Sequence, residues 1–207
     1  MVDRVAPVSV NASGFINNYT ALAWSSAMYI AHCNGVNCRE IRMYDHHPVS
    51  YARNMAVKEF MEDESCTHLL FMDSDNVPPI DVIPKLLRHN KLVVSGWYNA
   101  RSGSGLPVVF KRSKHGWSNF TYEELLSNAQ PDGLTMVDGV GAGILMIKRE
   151  TFEVLNTLEP FLEHYSIKQG SRYQGEDLYF GNLLKDHGIP IYVDATVRAL
   201  HWGWILR

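Results

Sequence analysis

The sequence predicts a single α/β domain in which a mainly parallel, mixed sheet lies between helices, and three observations carry that reading. The chain has 207 residues, 46% hydrophobic and 20% charged, enough for one domain that buries roughly two thirds of its unfolded surface. Short runs of strand formers at 5–10, 67–72, 91–95 and 189–193 alternate with segments of helical apolar spacing at 18–33, 50–64 and 175–187, the rhythm of strand–helix–strand units. The run THLLFM at 67–72 is short, apolar and flanked by polar residues, as suits a strand covered on both faces in a parallel sheet.

Composition excludes several classes. A formal net charge of -3 exerts no global pull toward nucleic acid or a membrane surface, so any anion site is local. No apolar run approaches the ~20 residues of a membrane span. The start MVDRVAPVSV lacks a signal-peptide pattern, so a cytoplasmic protein without an integral membrane segment is expected. Cys33, Cys38 and Cys66 contain no CxxC pair and read as buried free thiols.

Taken in order, the strand at 5–10 ends in the polar turn Asn11-Ala12-Ser13-Gly14. The helix at 18–33 carries Leu22, Ala23, Ser26, Ala27 and Ile30 on one side and stops at Asn34-Gly35. A second strand at 40–44 leads to Asp45, either a plain turn residue or an acceptor for a uracil or ribose. The helix at 50–64 has Ser50 as its N-cap and Met55, Val57, Phe60 and Met61 as its apolar side. Arg53, in its first turn, is either solvated or forks onto a diphosphate. After Pro78-Pro79, Asp81 caps a helix to about 89, with Pro84 tolerated in the first turn.

The strand at 91–95 runs into Gly96-Trp97-Tyr98-Asn99-Ala100-Arg101, then Ser102-Gly103-Ser104-Gly105, a mobile loop placed to cover a ligand, then a strand at 107–111. The basic stretch at 110–115 reads as a solvated hairpin tip or a phosphate contact. Between 134 and 147 an apolar stretch is broken by DGVGAG at 138–143. Small residues there let backbone approach a ligand, although the spacing is not a nucleotide fingerprint. Helices follow at 149–155 and from Gly175, the latter with Leu178, Phe180, Leu183 and Leu184 inward and His187-Gly188 as its stop.

The chemistry gathers at Asp73-Ser74-Asp75, just past the strand at 67–72. Open α/β sheets bind ligands beyond the carboxyl ends of their strands. Two carboxylates one residue apart in extended chain point the same way and suit a hard divalent cation, while a polar turn is the competing reading. Glu176 and Asp177 open a helix, where acidic residues complement the dipole, or where Asp177 serves as a general base. His201, after the last strand, is either structural or a nitrogen ligand.

An Asp-x-Asp after an apolar strand, then GVGAGILMIKRETF at 139–152, then Gly175-Glu176-Asp177 and a late histidine, resembles the GT-A glycosyltransferases. Ala52-Arg53-Asn54 and the segment 96–101 bring it nearest to the small, family-2-like members. The resemblance implies a Rossmann-like sheet, a metal- and nucleotide-binding half at 1–101 and an acceptor and catalytic half at 102–207. It implies a transferase moving sugar from a UDP- or GDP-sugar to a carbohydrate or other hydroxyl acceptor, with Mn²⁺ or Mg²⁺ and with inversion. Asp73, Asp75 and His201 would hold the metal; Asn11, Asp45, Arg53 and Ser74 would meet the nucleotide, with Tyr98, Arg101 and Gly141 beside them. Asp177, with Glu176 next to it, would deprotonate the acceptor. The chain stops six residues after His201, shorter than many relatives that carry an added acceptor-binding segment. A sugar nucleotidyltransferase is the alternative within enzymes, although no Gly-rich basic phosphate loop occurs in the first 20 residues. A non-catalytic nucleotide-sugar or carbohydrate-binding protein is the alternative outside them.

Overall fold

Each apolar run becomes a strand, and the order of the strands explains where the polar turns collect. The computed structural model describes residues 3–10, 16–45, 48–101, 104–114, 116–166 and 172–202. The amino-terminal half runs β1 (Arg4–Val10), α1 (Asn18–Cys33), β2 (Asn37–Cys38), β3 (Arg42–Tyr44), α2 (Val49–Glu62), β4 (His68–Met72), β5 (Asn76–Val77), α3 (Val82–Arg88) and β6 (Val93–Trp97). Then come β7 (Val109–Ser113), β8 (Gly116–Asn119), α4 (Tyr122–Ser127), β9 (Leu134–Val137), β10 (Gly139–Val140) and β11 (Ile144–Lys148). The chain continues with α5 (Arg149–Leu155), β12 (His164–Ser166), β13 (Arg172–Gln174), α6 (Glu176–Asp186), β14 (Ile191–Arg198) and β15 (Leu200–His201).

The main sheet has the order β2-β1-β4-β11-β6-β14-β9, with β3 also on β1. β1 is parallel to β2, β3 and β4, and β6 is parallel to β14. β11 enters antiparallel between β4 and β6, and β9 is antiparallel to β14. The reversed β11 matters for function. It pairs Ile144 with Met72, so the glycine-rich segment before it lies at the carboxyl edge of β4, where the Asp73 N–H donates to the Gly143 carbonyl at 3.0 Å.

Alternation along β4 builds two cores. Leu69 and Phe71 face α2, α5 and α6 through Phe60, Phe152 and Phe180, while Leu70 and Met72 face α1 and α3 through Trp24, Ile83 and Leu86. All five residues of β4 are buried, which is why that run reads without a polar face.

The predicted bounds of α1 and α5 agree with the structure, and Ala23 and Ala27 of the expected inward side of α1 are buried, but Leu22 is not. Thr20, Ala23, Trp24, Ala27 and Ala31 are buried, and Leu22 is 66% exposed. Two residues apart on a helix are about 200° apart, so seating the larger Trp24 turns Leu22 outward. The second helix begins at Val49 with Pro48 as its N-cap. Ser50 is therefore inside it, buried, with its hydroxyl toward Glu163 at 3.5 Å. The last long strand runs to Arg198, past its expected end at 193, because the polar residues that interrupt the pattern are satisfied internally. Asp194 accepts from the Thr196 N–H and hydroxyl and from His89 Nε2 at 2.8 Å. β6 likewise extends through Gly96, where a Cβ would meet the Val197 carbonyl oxygen at 2.7 Å; only glycine lets β14 approach that closely. α4 carries a capping box between Thr121 and Glu124, a local signal that the sequence itself carries. Of the thiols, Cys66 is buried, Cys38 half-buried and Cys33 exposed.

The carboxyl end of α2 is closed by the first residue of α5. Arg149 donates to the carbonyls of Phe60 and Asp63, both at 2.6 Å, of Cys66 at 2.9 Å and of Met61 at 3.2 Å. Its guanidinium also lies over the Phe60 ring at 4.5 Å. These are the orphan acceptors of a helix terminus and the turn after it, met by a cation of favourable sign for the dipole. We expect Arg149→Met to destabilise the protein by about 2–4 kcal/mol, read as a lower urea midpoint, with Arg149→Lys recovering only part because one ammonium cannot reach four carbonyls. A midpoint within experimental error of the parent for Arg149→Met contradicts this.

Candidate functional site

The carboxyl ends of β1, β4 and β6 open onto a cavity of about 310 Å³. Its floor near β4 is Asp73, Ser74 and Asp75, and Arg53 and Val49 of α2 approach from one side. Tyr98 and Arg101, just beyond β6, meet Glu176 and Asp177 of α6 and His201 of β15 across it. The cavity therefore gathers most of the residues singled out by sequence. Asp45 is exposed past the end of β3 and does not line it. Asn11 and the turn at 11–14 lie outside the described residues, as do 102 and 103 of the expected loop.

Asp73-Ser74-Asp75-Asn76 is a turn, with the Asn76 N–H donating to the Asp73 carbonyl at 3.2 Å. The extended geometry expected for the two carboxylates is replaced by this turn because Asn76 must start β5, which pairs antiparallel with β15 through Asn76 and His201. The two carboxylates consequently meet different partners. Asp73 Oδ1 faces Arg53 Nη2 at 3.2 Å, and Asp75 Oδ2 faces Arg101 and, at 3.4 Å, His201 Nε2.

Arg53 is neither solvated nor at the rim: its side chain is 3% exposed. Nε lies 3.4 Å from Glu176 Oε1 and 3.9 Å from Asp177 Oδ1, and Nη1 reaches the Ala142 carbonyl at 3.4 Å. Burial alone would lower its pKa, but Asp73, Asp177 and Glu176 together hold it raised. One side chain of α2 thus ties β4, the segment before β11 and the start of α6. Its neighbour Asn54 does the same for the segment after α5. The Asn54 side chain donates to the Phe161 carbonyl at 2.8 Å and accepts from the Phe161 N–H at 3.0 Å, which seats Phe161 on Phe180 at a centroid distance of 4.5 Å. Sequence reading quoted Asn54 without assigning it a role.

Asp177 is the unusual group. Its Oδ1 is buried without a hydrogen-bond partner among the described residues, although the side chain as a whole is 24% exposed. The accessible part belongs to the cavity wall. Burial first, then the neighbouring Glu176, pushes its pKa well above the carboxylate range, with Arg53 only partly offsetting them. The N-cap position of α6 is Gly175, which brings no side chain to the role.

His201 is fixed in one tautomer. Nδ1 lies 2.8 Å from the Asn99 carbonyl, which only accepts, so Nδ1 carries the proton and Nε2 presents a lone pair. Burial lowers the pKa, and the nearby Arg101 adds to this against the Asn99 hydrogen bond, so the ring is neutral at pH 7. The Nε2 lone pair takes up Arg101 Nε at 2.9 Å. Asn99, missed by sequence reading, is the group that orients the ring, as backbone carbonyls do for histidine ligands.

Tyr98 is buried, and its hydroxyl accepts from the Gly143 N–H at 3.2 Å. Burial raises its pKa first of all, so it stays a neutral phenol. A Cβ on Gly141 or Gly143 would collide with the Tyr98 ring. These glycines therefore make room for a tyrosine; Gly141 itself is not a cavity wall.

Two guanidinium groups face four carboxylates around the cavity. One carboxylate oxygen among them, Asp177 Oδ1, is buried without a hydrogen-bond partner among the described residues, and oxygen donors of this kind are the chemistry a hard divalent cation takes. Among the described residues, no three His, Cys, Asp or Glu side chains are grouped as they would be around a metal ion. Asp75 Oδ2 and His201 Nε2 lie 3.4 Å apart.

No family model matches the chain, and no curated protein does. Solved structures do. A197 from STIV superposes with a TM-score of 0.58 at 20% identity over 96% of this chain and 85% of that one. GalNAc-T7 with UDP, GalNAc and Mn²⁺ gives 0.53 at 11% identity over 97% of this chain. A mutant Drosophila β1,4-galactosyltransferase 7 with manganese, UDP-Gal and xylobiose gives 0.51 at 14% identity over 93%. The fold is GT-A. This chain spans 44% and 65% of the two transferase structures. In the main sheet, the cavity lies at the carboxyl edge where open α/β folds receive ligands.

The Asp177 carboxyl, only partly offset by Arg53 and a backbone hydrogen bond from Ala142, has a thermodynamic consequence. A carboxyl whose folded pKa is raised binds more protons in the native than in the unfolded state, so stability falls as pH rises from the unfolded value of 3.8 toward the raised one. Asp177→Asn removes that penalty. The metal-free variant should be more stable than the parent at pH 7.5 by about 1–3 kcal/mol and equal to it near pH 4. Urea denaturation at both pH values measures this, and a variant less stable at pH 7.5 contradicts the burial of an unpaired charge.

Proposed function

We propose that this chain is a metal-dependent glycosyltransferase that moves sugar from a UDP- or GDP-sugar to a hydroxyl acceptor with inversion. The observation that carries the reading is the meeting, in one cavity at the carboxyl edge of a GT-A sheet, of Asp75 and a lone-pair-bearing His201 with a buried, partly unpaired Asp177 opposite. Asp75 and His201, with the Asp73 oxygen that Arg53 does not use, would hold the cation. When bound, Mn²⁺ or Mg²⁺ supplies positive charge to the departing diphosphate.

The remaining work belongs to the chain. Asp177 takes the acceptor hydroxyl's proton as that oxygen attacks the anomeric carbon. In its ionised form, a carboxylate whose pKa is raised accepts the proton more strongly than an ordinary one. Glu176 keeps Asp177 basic by its charge and shares Arg53 with it. Arg53 holds Asp73 and the start of α6 at fixed separation, and Tyr98 and Ser74 add hydroxyls beside the donor. A single displacement reverses configuration, which is why this assignment requires inversion.

Screening sugar nucleotides for Mn²⁺-dependent thermal stabilisation identifies the donor. With that donor and an acceptor, Asp177→Asn should lower kcat by ~10²-fold or more with donor affinity nearly unchanged, and proton NMR of the first-formed product should show the inverted anomer. Release of free nucleoside diphosphate separates a transferase from a nucleotidyltransferase or a binding protein. A retained anomer, or full kcat in Asp177→Asn, contradicts the assigned base.

A further inference from the structure

Arg101 occupies a position that the proposed function leaves unexplained. Its side chain is 64% exposed, yet its guanidinium is bound to Asp75 and His201, the two groups that the proposed function gives to the cation. Nε sits 2.9 Å from the His201 Nε2 lone pair, and Nη2 is paired with Asp75 Oδ2. Asp75 Oδ2 and His201 Nε2 are themselves 3.4 Å apart, so a single positive charge between them satisfies both.

We propose that Arg101 is a resident counter-ion of the cation site. It neutralises Asp75 and caps His201 until a divalent cation takes both partners, and the guanidinium so released then turns to the diphosphate. The inference rests on the proposed function and deepens it by naming how metal and nucleotide binding are coupled.

The physical case has three parts. Arg101 and a divalent cation cannot share Asp75 Oδ2 and the one lone pair of His201, so they compete. An exposed ion pair is weak, worth about 1 kcal/mol or less, so a doubly charged ion can displace it. A displaced guanidinium is an unpaired fork beside the cavity, the geometry that takes phosphate oxygens bidentately. Metal binding alone therefore loses the Arg101 pair, and metal binding with a diphosphate regains a partner for it. The two ligands reinforce each other through one side chain.

Arg53 does not compete in the same way, because its guanidinium is buried among Asp73, Glu176 and Asp177. Arg198, which donates to the Asn99 side chain at 3.1 Å, supplies a nearby positive charge that touches neither Asp75 nor His201. It is the control for a general electrostatic effect.

The test uses Mn²⁺ alone, titrated by the loss of its free EPR signal, and then UDP and GDP titrated calorimetrically with and without Mn²⁺. Arg101→Met should bind Mn²⁺ alone about three- to tenfold more tightly than the parent, and the factor by which Mn²⁺ improves nucleotide affinity should shrink by a similar amount. Arg198→Met should bind Mn²⁺ like the parent. Equal Mn²⁺ affinity in Arg101→Met and the parent, weaker affinity in Arg101→Met, or the same gain in Arg198→Met overturns the counter-ion role while leaving the metal reading intact. Absence of Mn²⁺ binding in all three proteins, with or without nucleotide, removes the metal reading and this inference with it.

Discussion

A guanidinium sealed beneath carboxylates is the constraint on which the site depends. Arg53 is anchored by α2, yet its contacts are Asp73 after β4, Ala142 before β11, and Glu176 and Asp177 at the start of α6. Glu176 lies 123 residues from Arg53 in sequence. Removing a buried cation of this kind leaves several carboxylates unpaired at once, which is far costlier than losing an exposed pair. The rest of α2 serves to hold Arg53 in place: Arg149 closes its carboxyl end, Asn54 pins the segment carrying Phe161, and Phe60 and Val57 seat it on the sheet.

The same constraint leaves charge over. Arg53 offsets only part of the repulsion at Asp177, and Arg101 meets Asp75 from the solvent side. The cavity is thus built with more negative charge than its own cations neutralise, and that surplus is what a divalent ion would relieve. The fold contributes the rest through strand direction. Three strands ending at one edge and a reversed β11 bring four chain segments to that edge, and the β5–β15 pairing carries His201 to Asp75.

Much of this was legible in the sequence, and the failures have physical reasons. The apolar run at 67–72 identified the central strand because burial on both faces removes alternation. Asp73-Ser74-Asp75 marked the ligand edge, and the proline, glycine and asparagine stops placed α1, α3 and α6. The reversal of β11 was not legible, since periodicity carries no direction. The backbone of Asp73–Asn76 was read as extended because its pairing with β15 is nonlocal. For Arg53 the sequence leaves a solvated residue and a diphosphate fork open, because its three acidic partners lie elsewhere in the chain. Gly141 was read as space for a ligand, but the ring that fills it, Tyr98, is more than forty residues away. Asn99 left no signal as an orienting group, because its backbone carbonyl does the work and any residue type supplies one.

The most direct measurement of the central claim is the anomalous difference map at the manganese edge from crystals grown with Mn²⁺ and UDP. The account predicts one strong peak in the cavity, bonded to Asp75 and His201, with Arg53 still buried on Asp73 and Glu176. A cavity without a peak, or a peak reached only by Arg53 leaving its carboxylates, would contradict it.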